Sequence, residues 1–137
     1  MTNWCKILQK ITMQVIQNDS YSKERTMNLK IETKNDILII FVREERLDAH
    51  NSGDLKTKMQ ELFTSGTKNI LVDLTEVRFI DSSGLGALVS GFKNAISHQG
   101  SLKLASLQPQ VKSMFELTRL HRVFEIFGST AEAVENF

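Results

Sequence analysis

The sequence predicts an α/β fold, a four- to five-stranded mixed sheet with about four helices. Three observations carry this reading. Apolar runs of strand length alternate along the chain with segments whose apolar residues recur three and four apart. The run Asn69-Ile70-Leu71-Val72-Asp73-Leu74 is apolar on both faces, as in a parallel strand covered on both sides. After one early hairpin, strands and helices take turns, and parallel crossovers are the natural solution to that order.

The elements follow in sequence. Leu29-Lys30-Ile31 alternates as a short first strand. Lys34-Asn35-Asp36 is a turn signal, and the β-branched run Ile37-Leu38-Ile39-Ile40-Phe41-Val42 completes an antiparallel hairpin. The charged cluster Arg43-Glu44-Glu45-Arg46 belongs at the sheet edge or beyond it. Asn51, Ser52 and Asp54 offer N-caps to an amphipathic helix carrying Leu55, Met59, Leu62 and Phe63, closed by Gly66. After strand 69–74, Leu85, Leu88, Val89, Phe92 and Ile96 recur at helical spacing, so a helix runs from Ser83 to about Ser97. Leu102 and Leu104 alternate in the next strand. Pro109 fits the first turn of a third helix, with Val111, Met114, Phe115 and Leu120 inward. Val123-Phe124-Glu125-Ile126-Phe127 reads as a short final strand, and Ser129 with Glu132 forms a capping box for a last helix through Val134.

Composition narrows the class. With 137 residues, 41% hydrophobic and 24% charged, the chain is long enough for one domain with its own core. A net charge of +1 leaves no electrostatic footprint for nucleic acid or an anionic membrane. There is no apolar run of the ~20 residues a spanning helix needs, so membrane insertion is not expected. The single Cys5 excludes an internal disulfide and makes a cysteine zinc site a poor reading; no metal or other cofactor is expected, and the setting is cytoplasmic. Residues 1–27 stand apart as an N-terminal extension. Trp4, Ile7, Leu8, Ile11 and Val15 can share one face of a short helix, and a polar stretch follows from Asn18 to Arg25. A flexible tail and a docking helix both fit this pattern. The domain proper spans 28–137.

The residues that speak to function are Asp81-Ser82-Ser83-Gly84-Leu85-Gly86. They lie where a buried strand hands over to a helix. A helix N-terminus presents unpaired N–H groups and a partial positive charge. Serine is a favoured cap there, so Ser82 or Ser83 can serve the helix alone. The sharper reading is reversible phosphorylation. A phosphoserine adds nearly two negative charges, which the helix N–H groups tolerate while Asp81 opposes them. Gly84 and Gly86 also admit two readings, close packing or open access to the serine.

The stretch Val72-Asp73-Leu74, Val77 and Ile80-Asp81-Ser82-Ser83-Gly84-Leu85-Gly86 resembles the STAS domain of bacterial anti-sigma factor antagonists. So does Leu47-Asp48-Ala49-His50-Asn51-Ser52-Gly53-Asp54-Leu55, and the likeness covers about residues 28–137. The resemblance implies a STAS fold with Ser82 as phosphoacceptor and Ser83 as its unmodified neighbour. It implies that Asp81 flanks the acceptor and that Asp48 lies near it. The implied partner is an anti-sigma factor that is also a serine kinase. That partner is bound when Ser82 is unphosphorylated and released on phosphorylation, and a serine phosphatase restores binding; ATP belongs to the kinase. Many relatives carry a glycine where this chain has Glu45, so the approach to the loop is unusually charged.

Two other readings compete with this one. A STAS module can serve as a scaffold or accessory subunit of a stress-signalling complex or a transporter. A hydrolase would need Ser82 with one of His50, His98 or His121 and an acid such as Asp48 or Asp81. The serine is not in a Gly-x-Ser-x-Gly elbow, and no histidine is tied to it by sequence, so no catalytic residue is expected.

Overall fold

The alternating apolar run of residues 37–42 forms the second strand of a five-stranded sheet. The computed structural model describes residues 27–137. The strands are β1 (Leu29–Lys34), β2 (Ile37–Val42), β4 (Asn69–Asp73), β6 (Ser101–Ala105) and β7 (Ile126–Phe127), in the spatial order β1-β2-β4-β6-β7. Only the β1–β2 pair is antiparallel; β2–β4, β4–β6 and β6–β7 are parallel. Asn35 and Asp36 turn the hairpin with φ of 53° and 65°, the left-handed pair that a two-residue type I′ turn requires. The mixed sheet of the expected kind is therefore present.

Four helices connect and cover it: α1 (Ser52–Thr64), α2 (Ser82–Ser97), α3 (Pro109–Leu117) and α4 (Thr130–Glu135). Along α1, Leu55, Met59 and Phe63 are buried, and Gly66 follows its end at φ 109°. Along α2, Leu85 and Leu88 are buried; Ala95 takes the inward place at the C-terminal end, and Ile96 is exposed. The two helices touch where α2 has no side chain. A Cβ on Gly91 would lie 2.6 Å from the Met59 sulfur. These side chains meet Ile40, Val42, Ile70, Val72, Leu102 and Leu104 in the main core, while Ile37, Ile39, Leu71 and Ala105 form a smaller cluster with Ala133 of α4. β4 is thus buried on both faces, as its composition requires.

The structure departs from the sequence expectations at several points. A two-stranded parallel ribbon, β3 (Arg46–Leu47) with β5 (Phe79–Ile80), arises from loops read as irregular. The charged cluster thus lies beyond the main sheet, one of the two places expected for it, with Arg46 paired to Phe79 in the ribbon. α2 begins at Ser82, one residue early. The last strand holds only Ile126 and Phe127. Leu120–Arg122 form a 3₁₀ turn, and Phe124 packs edge-on against Phe92 and Phe115 at 5.3 and 5.8 Å between ring centres. Leu120 is only half-buried. Ser129 caps α4 by accepting the Glu132 N–H at 3.1 Å, which is one half of the expected capping box. The tail-or-helix reading of the N-terminal extension falls outside the described residues except at Met27, which is buried.

Candidate functional site

β2, β4 and β6 run parallel, so the loops that follow them gather at one edge of the sheet. Open α/β sheets place their binding sites outside this carboxyl edge. Here the loops are tied together by backbone. The Glu45 carbonyl accepts the N–H groups of Arg78 and Phe79 at 2.7 and 3.1 Å, and the Leu47 carbonyl accepts Asp81 N–H at 3.3 Å. Gln108 Nε2 donates to the Thr75 carbonyl at 2.6 Å, fastening the entry to α3. Leu47 pairs with Ile80 in the ribbon, so Asp48 and Asp81, one residue further on, end the two paired strands side by side.

Asp81 rather than a serine caps α2. Its backbone is extended (φ −109°), and Oδ1 accepts the Gly84 N–H at 3.0 Å. This corrects the capping-serine reading and leaves both hydroxyls uncommitted to the cap. Ser82 is exposed on the first turn of α2, and Ser83 is half-buried beside it. The glycines divide the two roles open to them. A Cβ on Gly84 would fall against the Leu47 carbonyl oxygen and 2.7 Å from Ile80 Cγ1, so Gly84 lets the helix entrance sit on the ribbon. Gly86 is exposed with nothing near its Cβ position, and it leaves the approach to Ser82 open. Leu85, between them, is an anchor in the core.

Asp48 is locked in place. Oδ1 accepts the His50 N–H at 3.0 Å, and Arg46 Nε lies 3.4 Å from Oδ2. The His50 N–H is the largest influence and holds the carboxyl below its usual range; desolvation opposes it, and the Arg46 hydrogen bond and the nearby positive charges add smaller downward pushes. Asn51 occupies the N-cap position of α1 but spends its side chain on this loop. Its Oδ1 accepts the Asp48 N–H at 2.9 Å, and Nδ2 donates to the Arg46 carbonyl at 2.7 Å. Of the other cap candidates, Asp54 accepts the Met27 N–H at 3.1 Å and Ser52 is buried.

Sequence reasoning missed an open cleft beside Ser82. Arg78, Phe79, Ile80, Asp81 and Ser82 line one side, and Gln110 and Met114 of α3 line the other. Phe79 is 43% exposed, with the Arg46 guanidinium 4.2 Å from its ring centre. The only local signal is the in–out alternation of buried Ile80 with exposed Phe79, and it becomes legible once β5 is known to be a strand. The His98 and His121 rings each meet a backbone carbonyl, of Asn94 at 2.8 Å and Phe115 at 3.3 Å, and His50 reaches Asp48 through its backbone.

The fold and the strand–loop–helix placement of Asp81-Ser82-Ser83-Gly84 define a class, and the STAS domain model matches residues 28–133. The chain belongs to the STAS domain family. The relatives that it matches include anti-sigma factor antagonists. It is 35% identical over 103 residues to the anti-sigma-B factor antagonist of Listeria monocytogenes, covering 73% of this chain and 90% of that protein. It is 30% identical over 112 residues to the anti-sigma-B factor antagonist of Bacillus subtilis, covering 80% of this chain and 100% of that protein. The Bacillus cell fate determinant SpoIIAA, solved in its phosphorylated form, superposes with a TM-score of 0.64 at 19% identity over 80% of this chain and 98% of its own, a likeness of fold. Among the described residues no helix is long and apolar enough to cross a membrane.

Proposed function

We infer that this chain is an anti-sigma factor antagonist switched at Ser82. Unphosphorylated, it binds an anti-sigma factor that is also a serine kinase, in the cytoplasm, and so frees a sigma factor. The kinase transfers a phosphoryl group to Ser82 and the complex dissociates; a serine phosphatase resets the cycle. In the transfer the Ser82 oxygen bonds to the γ-phosphorus of ATP as the bond to ADP breaks. The hydroxyl proton passes to a base that the kinase supplies.

The observation that carries this reading is the cap. Because Asp81 takes the capping role, the Ser82 hydroxyl is exposed at the helix entrance with no structural duty to lose. A dianion placed there is tolerated by the fold. A partner that covers the same hydroxyl would have to desolvate the dianion next to Asp81 and Asp48, which costs on the order of several kcal/mol. The anti-sigma-B factor antagonists to which this chain is similar support the choice of partner.

The test is intact-mass spectrometry after incubation with an anti-sigma factor kinase of the same organism and ATP. The wild type is expected to gain ~80 Da, one phosphoryl group, and Ser82→Ala to gain none. Equal modification of Ser82→Ala would reject Ser82 as the acceptor.

A further inference from the structure

Resting on the reading of Ser82 as phosphoacceptor, we propose that Arg78 is a shared cation: it pairs with a carboxylate of the docked kinase while Ser82 is free, and with the phosphoryl group once Ser82 is modified. Arg78 and Ser82 line the same open cleft, four residues apart and flanking β5. Arg78 is exposed and makes no ion pair with an acidic side chain among the described residues, whereas Arg43 is held by Glu76 at 3.8 Å and Arg46 by Asp48 at 3.4 Å. Its backbone is anchored by the Glu45 carbonyl, which accepts its N–H at 2.7 Å, and its side chain is exposed.

The cleft itself is shaped for a protein segment of definite chemistry. Its apolar wall is Phe79, Ile80 and Met114, with Gln110 as a polar neighbour, and Phe79 is kept exposed under the Arg46 guanidinium. Its cationic side is Arg78. The complement is an apolar side chain next to an Asp or Glu. A kinase whose active site reaches Ser82 must lie over this cleft, because Ser82 is part of its lining. Phosphoserine at 82 then places a dianion with three acceptor oxygens in the cleft that Arg78 also lines. Arginine pairs bidentately with phosphate as well as with carboxylate, so the modification withdraws the cation from the partner as well as repelling its acid. The two effects act in the same direction.

Two measurements test this independently of one another. In the first, phosphoserine is genetically encoded at position 82, without any kinase, and its phosphorus resonance is followed against pH. The expected result is a midpoint lower in the wild type than in Arg78→Gln by several tenths of a pH unit, with Arg78→Lys between them. Identical midpoints would overturn the pairing. In the second, the unphosphorylated protein is titrated with the kinase by calorimetry. Phe79→Ala and Arg78→Gln are each expected to weaken binding at least ~5-fold, the latter with a reduced salt dependence. Wild-type affinity in both variants, with folding confirmed by circular dichroism, would remove the cleft from the interface. Neither failure touches the assignment of Ser82, which stands or falls with phosphate uptake by Ser82→Ala.

Discussion

Gly84 and Gly86 sit two residues apart on α2 and do opposite things. Adding a methyl group at Gly84 drives it into the Leu47 carbonyl oxygen and the Ile80 side chain, which are themselves fixed by ribbon pairing. Relief requires α2 to lift from the ribbon. Gly84→Ala is therefore expected to cost about 1–3 kcal/mol in urea unfolding, the range for overpacking a tight contact. Gly86→Ala adds a methyl group in open space on an exposed helix position and should be neutral or stabilising by up to ~1 kcal/mol. Equal effects of the two substitutions would contradict the division of roles drawn from the geometry. The same local scale explains why the cap was misread. Asp81 and Ser82 are adjacent, both are good N-caps, and only the backbone of the helix entrance decides between them. That single-residue difference matters, because it separates a serine spent on structure from one available for chemistry.

Among the elements, those with several residues of periodicity were legible in the sequence: β2, β4, α1 and α2 announce themselves through apolar spacing that the core then uses. The β3–β5 ribbon was not legible. Two residues carry no period, and the pairing exists because loops from distant parts of the chain are brought together by β2 and β4. The final strand was overestimated because Phe124, apolar enough for a strand, is drawn into the aromatic cluster with Phe92 and Phe115. The turn that follows β3 sets the electrostatics of Asp48. Its carboxyl is lowered from an ordinary value of 3.8, chiefly by the His50 N–H and then by Arg46. A lowered folded-state value means that Asp48 contributes stability above pH 3.8, lost as pH falls through the folded value below it. Carboxyl-carbon NMR should place the Asp48 midpoint below 3.8. Arg46→Ala should raise it only part of the way, since the His50 N–H remains. Full return to the ordinary value on losing Arg46 would show that the arginine, and not the backbone donor, holds the loop.

The molecule as a whole divides labour between a rigid body and one chemically addressable edge. Every element that reaches the edge is anchored behind it: Leu47, Ile80 and Leu85 lie in the main core, and α3 is held there by Val111 and Phe115. A charge added at Ser82 acts on a framework that has no slack to absorb it by moving, since close-packed interiors resist small displacements. The proposed switch would then be a change of surface rather than of shape. Phosphorylation of Ser82 should confine backbone amide shifts to about residues 45–50, 78–88 and 108–114, the three loops tied at the carboxyl edge, and leave β1, β7 and α4 unchanged. Kinase affinity should fall by at least ~100-fold, the equivalent of roughly 3 kcal/mol. Ser82→Asp carries about half the charge of phosphate and lacks its third oxygen, so its loss should be smaller. Shifts spreading to β7, at the sheet edge beyond β6, and to α4, which packs on the smaller core cluster, would mean that the fold rearranges and that release of the partner is conformational. A local shift pattern with unchanged affinity would place the partner elsewhere on the surface. Only the combination of local shifts and lost binding is what an exposed hydroxyl on an immobile scaffold can produce.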